Sequence, residues 1–152
     1  MRKGGGKSKG SGFERTIAKL IVKAFLKHGI EQRDCWRSVL SGGHEISAGD
    51  LVMSDRLLKM FPYAVECKFY RKIKWFRFLM PLHCRKRSWS EMQWLKQAEE
   101  GAAKREGLRP LLVMKENNGP IFAMFKSPGG AYGWHLMTFK DFMQYKWKGV
   151  EE

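Results

Sequence analysis

Three residues near the middle of the chain, Asp50, Glu66 and Lys68, have the types and spacing of a site that handles phosphate groups. Glu66 and Lys68 are two apart in the stretch AVECKFY, and side chains two apart on a β-strand stand on one face. Asp50 lies 16 residues before Glu66, and the two carboxylates converge if their strands pair. Converging carboxylates repel unless a divalent cation neutralises them, and hard oxygen ligands suit Mg²⁺ or Mn²⁺. Lys68 could then orient an attacking water or stabilise charge developing on a phosphate.

The cysteines are most simply structural. Cys67 lies between the acid and the base and points to the opposite face of the predicted strand, where it belongs to the core. Its backbone carbonyl could still ligate the metal. The full set, Cys35, Cys67 and Cys84, is odd in number and widely spaced, which favours free thiols in a reducing cytoplasm over a disulfide framework.

The elements that must position these residues begin with a helix. Ser11-Gly12-Phe13-Glu14 fits a capping box, and Gly29 ends the helix. Its predicted apolar stripe comprises Ile17, Leu20, Ile21, Ala24 and Phe25. Strands are predicted at 35–40, from about Asp50, and over YAVECKF, with irregular structure in the linker 54–62.

The second half of the chain predicts another helix and further strands. The helix begins at Ser88 or Ser90 and runs to about Gly107 with Met92, Leu95, Ala98 and Ala102 inward. RPLLVMK and PIFAMF are predicted strands around the turn 117–119, followed by a last strand and a short helix. The order α-β-β-β-α-β indicates an α/β domain with a central mixed sheet flanked by helices.

The charge of the chain indicates a polyanionic partner. There are 29 basic and 15 acidic residues, a net charge of +14, which favours nucleic acid first and an anionic membrane surface second. No apolar run approaches the roughly 18 residues of a membrane span. MRKGGGKSKG has no apolar stretch of a secretory signal, so we expect a cytoplasmic protein, or one of the host cytoplasm if the source is viral.

Basic residues concentrate in two segments. Residues 1–12 are mainly Gly, Ser and basic side chains, which predicts a flexible arm whose Lys3, Lys7 and Lys9 contact phosphates. Between Cys67 and Ser90 there are eight basic residues and no acidic one. Seven of them are interleaved with Trp75, Phe76 and Phe78, as expected for DNA binding with aromatic stacking on unpaired bases: Arg71, Lys72, Lys74, Arg77, Arg85, Lys86 and Arg87. A solvated charge run whose aromatics fill the core is the simpler alternative, and we expect a mixture.

Gly49-Asp50 followed by Glu66-Cys67-Lys68, behind a helix with an early Glu14, resembles the PD-(D/E)XK nucleases, with Gly49 in place of the proline. The closer resemblance is to archaeal-type Holliday junction resolvases. It is carried by a basic Gly-containing start, Glu14-Arg15, and the run Arg37-Ser38-Val39-Leu40-Ser41. It covers roughly residues 12–70; the spacing 41–50 and the stretch 69–90 are longer than usual.

The resemblance implies a restriction-endonuclease-like core in a single nuclease domain, residues 13–152. It implies Mg²⁺-dependent cleavage of four-way DNA junctions by a homodimer with no organic cofactor, Mn²⁺ substituting. Asp50 and Glu66 would bind the metal, Glu14 would help hold it or its water, and Lys68 would position the nucleophile. Arg15 and Arg37 would contact the DNA backbone near the scissile phosphate, and Ser41 would belong to the catalytic residues.

Simpler interpretations stay open for individual residues. Glu14 is equally the last residue of a capping box, and Ser41 is equally a turn residue. Asp34 and Asp55 are interpreted as solvated, Gln97 as an exposed helix residue, and the four histidines as unrelated to a metal site. At the level of function, a nuclease of another DNA substrate and a non-catalytic DNA-binding protein remain alternatives.

Overall fold

The architecture was obtained as a computed structural model, which describes residues 5–39, 48–78, 90–126 and 133–147, without the side chains of 5–8 and 145–147. These ranges contain four helices, α1 (Gly5–Phe25), α2 (Asp55–Met60), α3 (Ser90–Ala103) and α4 (Phe139–Trp147). The strands are β1 (Cys35–Arg37), β2 (Leu51–Met53), β3 (Tyr63–Tyr70), β4 (Arg109–Glu116), β5 (Ile121–Lys126) and β6 (Trp134–Thr138). Single 3₁₀ turns occupy Leu26–His28, Gln32–Asp34 and Trp75–Phe78.

A four-stranded mixed sheet in the order β3-β4-β5-β6 forms the centre. The β3 and β4 strands run parallel, with α3 as the crossover between them, whereas the β4–β5 and β5–β6 pairs are antiparallel. A separate antiparallel ribbon of β1 and β2 lies at the β3 end, joined by a bridge between Gly49 and Val65. The predicted α/β fold with a mixed sheet flanked by helices is confirmed, and it is consistent with a restriction-endonuclease-like core.

Helices cover both faces of the sheet. Residues from α1 and α4, including Ile17 and Phe142, pack with Val65 and Val113 on one face. On the other face α3 buries Trp94, Leu95 and Ala98 against residues of β4 and β5. The alternation of side chains along each strand therefore distributes apolar residues to two cores.

The first helix differs from its prediction at its start and in its buried stripe. It begins at Gly5, before Ser11, so the predicted capping box is wrong and residues 5–12 belong to the helix. The fully buried positions are Ile17, Ile21 and Phe25, whereas Leu20 is 36% exposed. The helix ends at Phe25, and Gly29 ends the 3₁₀ turn that follows it, in a left-handed conformation with φ +74°.

Two other segments depart from expectation. The linker 54–62 contains α2, which Ser54 caps by accepting a hydrogen bond from the Leu57 N–H at 3.2 Å. Asp34, interpreted as solvated, is buried, because it accepts hydrogen bonds from the Ser54 hydroxyl at 2.7 Å and from the Glu31 N–H at 2.8 Å. Asp55 is exposed and pairs with Arg105.

Within the described residues, no helix has the length and apolarity needed to cross a membrane.

Candidate active site

The strand β3 places Glu66 and Lys68 on the face that α3 covers. Val65 and Cys67 point the other way into the core under α1, as the period of two requires. The Lys68 Nζ lies 2.7 Å from the Glu66 Oε1, and the two side chains are 18% and 12% exposed. The prediction that Cys67 belongs to the core is confirmed, since it is buried.

Asp50 is fixed against the free edge of β3 by its backbone and its side chain. Its N–H donates to the Val65 carbonyl at 2.8 Å, and its own carbonyl accepts from the Ser38 N–H at 2.9 Å. The Asp50 Oδ2 accepts a hydrogen bond from the Cys67 N–H at 2.7 Å. Asp50 is thus held beside the strand that carries Glu66, although β2, which begins at the next residue, pairs with β1 rather than β3.

Gly49 allows this close approach. Its φ is +94°, and a Cβ built there would lie 2.4 Å from the Val65 carbonyl oxygen. On the other side, a Cβ on Gly101 of α3 would lie 3.4 Å from the Gly49 nitrogen, so this helix packs closely on the same backbone. Proline, which holds φ near −65°, cannot adopt the conformation found at Gly49.

A second charged pair joins α1 to β1 beside these residues. The Arg37 Nε donates to the Glu14 Oε2 in an ion pair whose side chains are 30% and 17% exposed, respectively. Glu14 therefore contacts a cation across the fold instead of capping its own helix, whose first turn lies much earlier.

Burial raises the pKa values of the carboxyl groups of the site, and the charge of Asp50 adds to the rise at Glu66 and Glu14. Burial raises the pKa of Asp50, against the opposing Cys67 N–H and the charges of Lys68 and Arg37. Burial and then the charge of Asp50 raise the pKa of Glu66, while Lys68 opposes the rise. Burial and the charge of Asp50 likewise raise the pKa of Glu14, although its hydrogen bond to Arg37 lowers it. Concentrated negative charge of this kind favours a bound cation.

The donor set fits a hard divalent cation that keeps part of its water shell. Asp50 and Glu66 supply carboxylate oxygens, and the carbonyl of Cys67 leaves β3 at the same edge as its N–H, which bonds Asp50. Across the described ranges, no three His, Cys, Asp or Glu side chains are close enough together to hold a metal ion. Glu14, committed to Arg37, is therefore better placed to hold that arginine than to act as a direct ligand.

The basic segment after β3 is anchored at two points. Ile73 is buried and its N–H donates to the Glu116 Oε2 at 3.0 Å. The Arg77 Nη1 lies 3.3 Å from the Glu91 Oε2, and the Glu91 side chain is only 4% exposed. Arg77, one of the predicted phosphate contacts, therefore has its guanidinium turned to a buried carboxylate of α3. The exposed cations of the described part of this segment are Arg71, Lys72 and Lys74.

We expected the aromatic side chains of the segment to be at least partly buried or in a dimer interface, and two of the three are partly buried. Phe76 is 53% exposed, whereas Trp75 and Phe78 are half-buried against the core under α3. Gln97 is exposed, as interpreted. Lys9 is exposed near the Phe69 ring, and Arg15 is exposed on α1. Ser41, Lys3, Arg85, Lys86, Arg87 and the side chain of Lys7 lie outside the described residues.

The sequence analysis missed two exposed residues near the site, Trp36 and Lys19. Trp36 lies on β1 between buried Cys35 and half-buried Arg37, and it is 45% exposed. The alternation of side chains along β1 could have identified Trp36, because it turns this large aromatic side chain outward. Lys19 follows Arg15 by four positions, which places both on one side of a helix.

Comparison with known proteins gives one match. A family model described as "Phage putative PDDEXK endonuclease" matches residues 5–147, nearly the whole chain. No curated protein and no solved structure matches the chain.

Proposed function

We propose that this chain, which belongs to the family of phage PDDEXK endonucleases, is a Mg²⁺-dependent DNA endonuclease that cuts four-way junctions. The observation that carries the proposal is the contact of Glu66 with Lys68 beside Asp50, at a strand edge where carboxyl pKa values are raised. The family supports the nuclease activity, and members of the PD-(D/E)XK superfamily usually use divalent metals.

Each residue of the site has a chemical role in phosphodiester hydrolysis. A bound Mg²⁺ supplies neutralisation of the carboxylates and stabilisation of charge on the scissile phosphate. Asp50, Glu66 and the Cys67 carbonyl would hold it. Lys68 orients the attacking water, whose oxygen bonds to phosphorus as one ester P–O bond breaks. The ammonium of Lys68 also stabilises the added negative charge, because it sits in a partly desolvated position.

The Glu14–Arg37 pair would complete the phosphate-binding side of the site. Arg37 is close enough to Asp50 to lower its pKa, so its charge acts on the reaction centre. Glu14 holds the guanidinium in place through the hydrogen bond to its Nε. An arginine oriented in this way retains further N–H groups for phosphate oxygens.

Junction specificity and dimerisation are the finer part of the proposal. Their support is the resemblance of Glu14-Arg15, Arg37 to Ser41, and the Gly49-Asp50 and Glu66-Cys67-Lys68 motifs to junction resolvases. Two symmetric sites in a homodimer would cut opposed strands of a twofold-symmetric junction. We place this activity in the reducing cytoplasm of a host cell, in keeping with the free thiols of Cys35 and Cys67.

A cleavage panel tests the proposal. A four-way junction, a linear duplex of the same sequence and a single strand are each incubated with the protein, in Mg²⁺ and in chelator. Asp50→Asn is compared with wild type, and Asp55→Asn serves as the matched control, because Asp55 is an exposed aspartate whose ion pair contributes little.

Paired symmetric nicks on the junction alone, absent with Asp50→Asn and present with Asp55→Asn, are the expected result. Equal cutting of the linear duplex would contradict junction specificity and leave a nuclease of another substrate. Tight junction binding without cleavage by any of the proteins would contradict the nuclease and leave a DNA-binding protein.

A further inference from the structure

A groove of about 350 Å³ runs between α1 and β1 next to the candidate active site. Among the residues that the structure describes, its lining contains three cationic side chains and no acidic one: Arg15, Ala18, Lys19, Gln32, Trp36, Arg37 and Val39. Arg37 lies in the groove and also contacts Glu14, so the groove is continuous with the site. A phosphate-bearing chain is the ligand class that this charge complements.

Two cations of the groove are free to bind such a ligand. Arg15 and Lys19 are both exposed and lie one turn apart on α1. Neither forms an ion pair with any residue in the described parts of the chain. The side chains therefore offer unneutralised charge at a spacing of about 6 Å along the helix axis, comparable to the distance between successive phosphates of a DNA strand.

Trp36 gives the groove an aromatic wall. Its neighbours on the strand, Cys35 and Arg37, turn toward the protein, and the ring of Trp36 turns outward with 45% exposure. It has no ring contact with another aromatic among the described residues. An exposed indole beside free cations is the combination that binds single-stranded nucleic acid, in which every base offers a π-face. In a continuous duplex those faces are stacked on neighbouring base pairs.

We propose that this groove holds one strand of the DNA substrate, with phosphates on Arg15 and Lys19 and an unpaired base stacked on Trp36. The inference rests on the proposed nuclease function and adds a determinant of specificity to it. DNA with an unstacked base close to the scissile phosphate, as at a branch point, fills the groove completely. A linear duplex contacts only its cations.

Binding assays that do not depend on cleavage test the groove. In the Asp50→Asn background and in chelator, affinities are measured for a 12-nucleotide oligo(dT), a four-way junction and a linear duplex. The variants are Trp36→Ala, Trp36→Phe and, as a control, Leu26→Ala, which removes an exposed apolar side chain from the far end of the helix region. Circular dichroism and light scattering check folding and oligomeric state.

We expect Trp36→Ala to weaken binding of oligo(dT) and of the junction by at least about fivefold, the lower end for loss of one stacked base. Trp36→Phe and Leu26→Ala should bind these DNAs nearly as wild type does. The affinity of Trp36→Ala for the linear duplex should change little. Lys19→Ala should weaken binding of all three DNAs and reduce the salt slope by about one.

Unchanged affinity of Trp36→Ala for oligo(dT) and the junction, or an equal loss on the duplex, would overturn the stacking role. A change of oligomeric mass in Trp36→Ala would identify the groove as a protein interface instead and would also overturn it. Either result could occur while wild type still cleaves DNA, so failure of the groove is distinguishable from failure of the nuclease proposal.

Discussion

At the scale of single residues, the site depends on a glycine as much as on its charged groups. Gly49 precedes Asp50 and lies so close to β3 that a Cβ would meet the Val65 carbonyl oxygen at 2.4 Å. The same residue has φ +94°, which a side chain makes costly. Since both obstacles are backbone features, neither can be relieved by a change of rotamer, and Asp50 would be displaced with its neighbour.

Gly49→Ala should therefore reduce both stability and cleavage. Gly107→Ala is the matched control, because Gly107 has a similar φ of +84° with nothing within 4 Å of a built Cβ. The control should lose about 1 kcal/mol from the positive φ alone, and Gly49→Ala should lose clearly more. Chemical denaturation measures both. Equal losses in the two variants would show that the contact with Val65 has no energetic consequence.

In the absence of metal, the buried negative charge of Asp50 should lower the free energy of unfolding. Burial raises the pKa of Asp50 above its ordinary value of 3.8, so protonation of this group is more favourable in the folded protein than in the unfolded one. For a raised pKa, the stabilising contribution is complete below the unfolded value and is lost as pH rises through the folded value. Asparagine imitates the protonated group and can still accept from the Cys67 N–H.

We expect Asp50→Asn, in chelator at neutral pH, to unfold at a higher temperature than wild type. A gain on the order of 1 kcal/mol is usual when a strained functional site is relieved. The difference should shrink as the pH is lowered below 3.8, where Asp50 is protonated in both states. Calorimetry across pH measures this. A variant less stable than wild type at neutral pH would contradict the electrostatic description of the site.

At the scale of elements, the segment after β3 is a basic surface that contacts β4 at one point and α3 at another. Ile73 is bound to Glu116, and Arg77 to Glu91. Burial alone would raise the pKa of Glu91, but hydrogen bonds from its own N–H, from Ser90 and from Arg77 lower it, so the carboxylate is ionised at neutral pH. Arg71, Lys72 and Lys74 are left exposed to contact DNA.

Two neighbouring arginines should therefore behave differently. Arg71→Ala should weaken DNA binding and lower the slope of log affinity against log salt by about one, with little change in stability. Arg77→Ala should leave the slope nearly unchanged and reduce stability by about 3 kcal/mol or more, because it leaves the carboxylate of Glu91 buried without its cation. Fluorescence anisotropy over a salt series and thermal unfolding measure the two effects. A salt slope that falls equally in both variants would place Arg77 on the DNA surface.

The sequence predicted the local features of the site and missed those that depend on distant partners. The period of two correctly placed Glu66, Lys68 and Cys67. Arg77 could not be separated from Arg71 within a charge run, since its partner Glu91 lies 14 residues away on another element. Asp34 was misassigned for the same reason, because the hydroxyl it binds is 20 residues further along.

The start of the first helix shows a different limit. Its glycine-rich opening has low helix propensity and no apolar stripe before Phe13, so composition favoured a flexible arm. In the structure the same residues continue the helix, and Lys9 lies near the Phe69 ring. Capping signals consequently misplaced the helix start and gave Glu14 a local role instead of its contact with Arg37.

At the scale of the whole molecule, we expect a homodimer. Paired cuts require two sites related by symmetry, and each chain contributes one set of Asp50, Glu66 and Lys68. Light scattering in moderate salt should give twice the 17.7 kDa mass of the chain. The junction complex should contain two protomers. A monomer both free and on DNA would contradict paired cleavage while leaving single-site nicking intact.

The single-turnover cleavage rate of a four-way junction, measured as the Mg²⁺ concentration is raised, tests directly whether the protein has a metal-dependent nuclease site. We predict that wild type and Asp55→Asn show a rate that increases with Mg²⁺ and saturates, and that chelator abolishes it. Asp50→Asn should be slower by at least about 100-fold at every concentration. Cleavage by Asp50→Asn at the wild-type rate, or cleavage that persists in chelator, would contradict the assignment of Asp50, Glu66 and Lys68 as a metal-dependent nuclease site.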